Sequence, residues 1–306
     1  MSPLDAASIV LVVGPLIGLV AAGAYALAHR GRTTGLTGRT ALARATSYAA
    51  LAAVLLLAAR TGVAGMAVFL GVVGAAALVE WGRLFDLPRH HRVALVIAHG
   101  IAIAAVAVAG TNAVPALVGG IVLWGAAWPV IRADTGRAIR DLGFAAVGAV
   151  LITVMLAHGV ALVHEFGENG SAAILALAVG CAGSDIGAYL VGRTFGRHPL
   201  APRLSPNKTR EGLIGNVLGA AVGLALFAPS LAPAIGWPVA LLFVPLVAAG
   251  AVWGDLLESA AKREAGTKDA GHWLPGFGGI LDRIDSLLVT VALAYWMIQL
   301  SGGGAG

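Results

Sequence analysis

Apolar residues run through this chain in long blocks, broken by short connections in which arginine recurs. A helix needs about 17–25 mostly apolar residues to cross a bilayer, and the blocks are of that order. They predict helices near 7–28, 42–59, 63–84, 93–110, 114–131, 140–164, 171–193, 211–228, 238–260 and 284–301, the second and eighth being short. The expected fold class is therefore all-α: a polytopic integral membrane protein with about ten transmembrane helices. Residues 1–170 are read as an N-terminal multi-span region and 171–301 as a C-terminal membrane region that carries the chemistry. The Gly-rich tail 302–306 is expected to be disordered.

Composition supports the pattern, since 58% of residues are hydrophobic and only 11% charged, against roughly a quarter charged in soluble domains. The formal charge of +5 could suggest a nucleic-acid partner. Its distribution decides otherwise. Every Lys and Arg except Arg60 falls in the connections after the first, third, fifth, seventh and ninth spans, whereas the loop after the sixth carries Glu165 and Glu168. By the positive-inside rule those odd-to-even connections are cytoplasmic and both termini are outside. The basic balance is a topology signal, and no nucleic acid is expected. Cys181 is the single cysteine, so no internal disulfide framework exists. Asp5 precedes the first apolar run where a cleavable signal would carry Lys or Arg.

Polar chemistry is concentrated in two of these cytoplasmic connections. In the second, Asp255, Glu258, Ser259 and Lys262 stand at i, i+3, i+4 and i+7 and share one helix face. Asp282 and Asp285 share a face at the start of the next helix, across the turn Pro275-Gly276-Phe277-Gly278-Gly279. Paired carboxylates beside Lys and Arg suit a hard divalent cation and phosphates. In the first connection, Asp185 sits eight residues before Arg193, inside a span, where a carboxylate calls for a partner or a wet cavity. The run Ser205-Pro206-Asn207-Lys208-Thr209, leading to Glu211-Gly212 at a helix start, is a candidate phosphate cradle, although it is not a Walker loop. His90-His91 reads as a solvated surface patch, His158 and His164 as too far from the acids to be ligands, and Glu80-Trp81 as structural or a headgroup contact.

The run Ser259-x2-Lys262-Arg263-x4-Lys268-Asp269-x-Gly271-x2-Leu274-Pro275-Gly276-x-Gly278-Gly279-x-Leu281-Asp282-Arg283-Ile284-Asp285 closely resembles the signature of phosphatidate cytidylyltransferases, the CDP-diacylglycerol synthases. Asp185-x2-Ala188-Tyr189-x3-Arg193-x-Phe195-Gly196-Arg197 and Ser205-Pro206-x-Lys208-Thr209-x-Glu211-Gly212 resemble that family's second motif block. The resemblance covers roughly residues 180–290. It implies a membrane enzyme that transfers CMP from CTP to phosphatidic acid, with Mg²⁺ as one ion or two. It also implies an active site facing the cytoplasm at the inner membrane, and a homodimer. By position, Asp255 and Asp282 would bind the metal, with Lys262 and Arg283 acting beside them. Asp185, Arg193, Ser205, Lys208, Thr209, Glu211, Ser259, Arg263, Lys268, Asp269, Gly278, Gly279 and Asp285 would bind substrate. Phe277 stands where the family has histidine, and Asn207 where a basic residue is commoner. The alternatives are a cytidylyltransferase or CTP-dependent kinase acting on a different lipid, and, outside enzymes, an ion-coupled transporter.

Overall fold

The computed structural model describes residues 50–116, 119–120, 123, 136–267, 271 and 278–301. The first expected span, 7–28, most of the fifth, 114–131, and the tail 302–306 lie outside the described residues. Helix α1 covers Ala50–Arg60, α2 Gly62–Leu84 and α3 Arg89–Ala109. Helix α4, Ala138–Gly148, runs through a π-helical turn, Ala149–Val154, into α5, Met155–Phe195. A β-hairpin follows, with β1 Pro199–Ala201 antiparallel to β2 Ser205–Thr209 in the register Pro199↔Thr209 and Ala201↔Ser205. A 3₁₀ turn, Gly110–Ala113, follows α3, and helices α6 Gly212–Ala225, α7 Ala228–Ile235, α8 Trp237–Glu264 and α9 Leu281–Leu300 come after the hairpin. The described residues are thus overwhelmingly helical, as the apolar blocks predict.

Four stretches among the described residues are long and apolar enough to cross a membrane: Gly62–Leu84, Arg89–Ala116, Ala138–Phe195 and Trp237–Glu264. The outer faces agree with that, since Val68, Val72, Val108, Val222 and Leu241 are all more than half exposed. So continuous an apolar exterior suits lipid rather than water. The 58-residue stretch Ala138–Phe195 holds the expected sixth and seventh spans as two arms. Gly167, at φ 54° and ψ −126°, adopts backbone angles that only glycine takes easily and reverses the chain. The second arm then returns so closely that a Cβ on Gly170 would lie 1.9 Å from the Leu162 carbonyl oxygen. The boundary set at residue 170 falls inside α5, just after this reversal.

Two seams of small residues set the packing around the site. Gly183 and Gly187 of α5 meet α6 so tightly that Cβ atoms there would sit 2.4 Å and 2.1 Å from the carbonyl oxygens of Gly219 and Gly215. Close backbone approach of this kind drives helix association in lipid. Gly254 of α8 does the same against α9, where its Cβ would fall 2.2 Å from the Asp285 carbonyl oxygen. At the opposite end of the bundle, Glu165 beside the Gly167 reversal accepts hydrogen bonds from Thr111 Oγ1 at 2.7 Å and Tyr295 Oη at 2.6 Å. That knot ties the reversal to the far end of α9, away from the acids described next.

Candidate active site

Four elements meet at the end of the bundle where α5 and α8 finish and α9 begins. Asp185 and Arg193 of α5, Lys208 and Thr209 of β2, and Asp255 of α8 line one cavity of about 600 Å³. Lys208 Nζ lies 2.5 Å from Asp255 Oδ2, and Ser259 Oγ donates to Asp255 Oδ1 at 3.3 Å. Asp185 and Asp255, from separate parts of the sequence, therefore meet in one cavity.

The helix face read from the sequence exists in α8, and the Gly254 seam brings α9 against it. Carboxylate oxygens of Asp255, Glu258 and Asp285 all lie within 4.8 Å of one another. Glu258 Oε2 is 2.6 Å from Lys262 Nζ, while its Oε1 is buried without a hydrogen-bond partner. Lys262 also reaches Asp282 Oδ1 at 2.8 Å. Asp282 Oδ2 accepts the Gly279 N–H at 2.7 Å, reaching back to the turn that precedes its own helix. Gly278, at φ +83°, makes the turn, and a Cβ there would lie 2.9 Å from Asp282 Oδ2. Asp282 thus faces a lysine, a backbone N–H and the Glu258 carboxyl. The carboxylate that joins Asp255 is Asp285, with Glu258 beside them.

Other residues singled out in the sequence brace the hairpin that carries Lys208. Thr209 Oγ1 accepts the Gly212 N–H at 3.1 Å at the start of α6. Glu211 accepts the N–H groups of Arg197 and His198 at 3.0 and 3.2 Å, and its Oε1 lies 2.6 Å from His198 Nδ1. The His198 imidazole and these backbone donors hold the Glu211 carboxyl down at about 2. Arg263 donates to the carbonyl oxygens of Leu204 and Thr267, both at 3.3 Å, and so pins the hairpin tip to the end of α8. Ser205 opens β2. The expected loop before α6 is therefore a strand, because Pro199–Ala201 offers it a partner. Lys268, Asp269 and Phe277 lie outside the described residues.

Two carboxylates gained importance only in three dimensions. Glu258 shares the Asp255 face in the sequence, and that shared face was the available signal. Glu80 of α2 is 1% exposed and accepts the N–H groups of Ile280 and Leu281 at 3.0 and 2.8 Å. Nothing local to Glu80 announces a partner two hundred residues away.

The sequence model of the cytidylyltransferase family matches residues 42–301. A phosphatidate cytidylyltransferase of Mycobacterium leprae is 40% identical over 154 residues, which cover 48% of this chain and 49% of that protein. Phosphatidate cytidylyltransferase 5, chloroplastic, of Arabidopsis thaliana is 44% identical over 137 residues, 44% of this chain and 33% of that one. A phosphatidate cytidylyltransferase of Brucella suis is 47% identical over 112 residues, 37% of this chain and 41% of the relative. The chain spans about half or less of the length of these curated relatives. The family match, by contrast, takes in every described element that builds the cavity and its acids, and the chain belongs to the cytidylyltransferase family.

Proposed function

We propose that this protein is a CTP:phosphatidate cytidylyltransferase that works at the cytoplasmic face of the inner membrane, making CDP-diacylglycerol and pyrophosphate. The observation that carries the reading is the cavity itself. Asp185, Lys208 and Asp255, drawn from three separate elements, line it together beside the Asp255–Glu258–Asp285 group. Membership of the family and the names of the relatives supply the reaction class.

In the reaction, a phosphate oxygen of the lipid attacks the α-phosphorus of CTP. A new P–O bond forms as the bond from that phosphorus to the oxygen bridging the β-phosphate breaks, and pyrophosphate departs with that oxygen. Little covalent help is required, so positioning and charge neutralisation carry the rate. Lys208, on a braced strand at the cavity wall, offers an ammonium to the triphosphate, and Arg193 brings a second cation to the cavity lining. Lys262 is held by Glu258 and Asp282, so its charge is fixed in place beside the acids. Three carboxylates with oxygens within 4.8 Å, one of them bearing a buried oxygen without a partner, fit a hard divalent cation. Asp255, Asp285 and Glu258 would hold Mg²⁺. When bound there, Mg²⁺ supplies charge neutralisation for the nucleotide phosphates.

The test supplies CTP labelled in the base to the purified protein with a panel of lipid phosphates, following pyrophosphate release. Transfer of label to phosphatidate is the expected result. Label that goes only to another lipid phosphate moves the substrate. A lipid that gains phosphate but no base makes the protein a kinase.

A further inference from the structure

The two N–H groups that open α9 point at a carboxylate from the other half of the sequence. Glu80 Oε1 accepts from Ile280 and Oε2 from Leu281, and the side chain is almost wholly buried. Glycines leave room for it on both sides. A Cβ on Gly271 would lie 2.4 Å from Oε1, and one on Gly279 2.6 Å from Oε2. Burying a carboxylate is expensive unless its oxygens are satisfied. Here the free N–H groups and positive end of α9 satisfy them. A neutral apolar side chain would pack α2 against α9 without that demand, so simple packing does not explain a glutamate.

The same first turn of α9 carries Asp282, which holds Lys262, and Asp285, which joins Asp255 and Glu258. A glycine turn at a helix start is also the usual form of a phosphate site. In this protein the Ile280 and Leu281 N–H groups are committed to Glu80 and that of Gly279 to Asp282. These three donors are therefore aimed at protein carboxylates.

Resting on the function proposed above, we propose that Glu80 is a positioning residue: its carboxylate anchors the start of α9 and thereby sets Asp282 and Asp285 against Lys262, Glu258 and Asp255. It touches neither substrate nor the reacting atoms. It acts through the acids it places.

The experiment compares Glu80→Gln, Glu80→Asp and Gly271→Ala with the full-length wild type in detergent micelles. Folding is followed by size exclusion and thermal unfolding, and affinity for Mn²⁺ alone by electron paramagnetic resonance. kcat and KM for CTP are measured with phosphatidate. Residues that orient metal-binding groups typically change affinity or activity by about 10–100-fold when replaced. Glu80→Gln should remain folded, with Mn²⁺ affinity and kcat each lowered in that range and KM for CTP within about threefold of wild type. Glu80→Asp, which keeps the charge, should recover part of both losses. A folded Glu80→Gln with wild-type Mn²⁺ affinity and kcat overturns the proposal, as does a loss confined to KM, which would mean direct contact with nucleotide. Should Glu80→Gln fail to fold, Gly271→Ala presses on the same carboxylate without removing it. It must then show the same split, and a wild-type profile there overturns the proposal. A wild type that binds Mn²⁺ but transfers no CMP sinks the proposed function alone, and the Mn²⁺ comparison still decides the role of Glu80. A wild type that does neither overturns both.

Discussion

Asp255 and Asp285 come from different helices, and their meeting is what the proposed chemistry depends on. Replacing either with asparagine keeps the volume and removes a charge from the carboxylate group. Pyrophosphate release should fall by about 10²-fold or more in Asp255→Asn and Asp285→Asn, the scale of losing one electrostatic stabiliser. Both proteins should still insert and elute as the wild type does, and near-normal turnover in either would remove that residue from the site. Lys208→Met should lower CTP use while leaving Mn²⁺ binding in place, because Lys208 reaches Asp255 from the cavity wall. The helix face carrying Asp255, Glu258, Ser259 and Lys262 was legible in the spacing. Which acid of α9 would face it was not, since Asp282 and Asp285 lie three residues apart and either could turn inward. The close Gly254 contact and the Glu80 anchor fix that rotation, and neither is a local property of α9.

At the scale of elements, the α5–α6 seam and the hairpin make distinct predictions. A methyl group at Gly187 would meet the Gly215 carbonyl oxygen at 2.1 Å, so the helices must separate to admit it. Overpacking of this kind costs about 1–3 kcal/mol. Gly187→Ala should therefore lower the unfolding temperature in detergent and reduce activity together, because α5 and α6 form two walls of the cavity. The hairpin is braced by Glu211, whose carboxyl is drawn from its ordinary 4.5 to about 2. For a depressed acid, the stabilisation is complete above the ordinary value and is lost as pH falls through the depressed one. Amide exchange at Arg197 and His198 should stay protected from neutral pH to about 4.5 and loosen, relative to neighbouring amides, on the way down to about 2. Glu211→Gln should show the loosened pattern at neutral pH. The sequence marked Lys208 and Thr209 as chemistry before a helix start but did not show a strand. Three residues of β1 are too few to display alternation, and pairing rather than propensity makes them a strand.

Among the described residues the acids and bases of the candidate site lie at one end of the bundle, with the Glu165 knot at the other. Arg203 on the hairpin and Glu168 beside the Gly167 reversal are both exposed and lie at opposite ends of the second arm of α5. Under the proposed topology the first would face inside and the second outside. A cysteine in place of Arg203 should react with a membrane-impermeant maleimide only in inverted vesicles, and one in place of Glu168 only in intact cells. Cys181 is buried and should stay silent. Labelling of both positions from the same side would contradict the topology. The sequence by itself determined that the chain is helical, lies in a membrane and gathers its acids and bases at a few span ends, because hydrophobic transfer and helical period are sums over neighbouring residues. Only the tertiary structure decided that Asp285 rather than Asp282 stands with Asp255, and that a glutamate of α2 holds the start of α9. Those choices depend on the rotation and close approach of helices far apart in the chain, which steric contact between backbones sets and no single segment encodes.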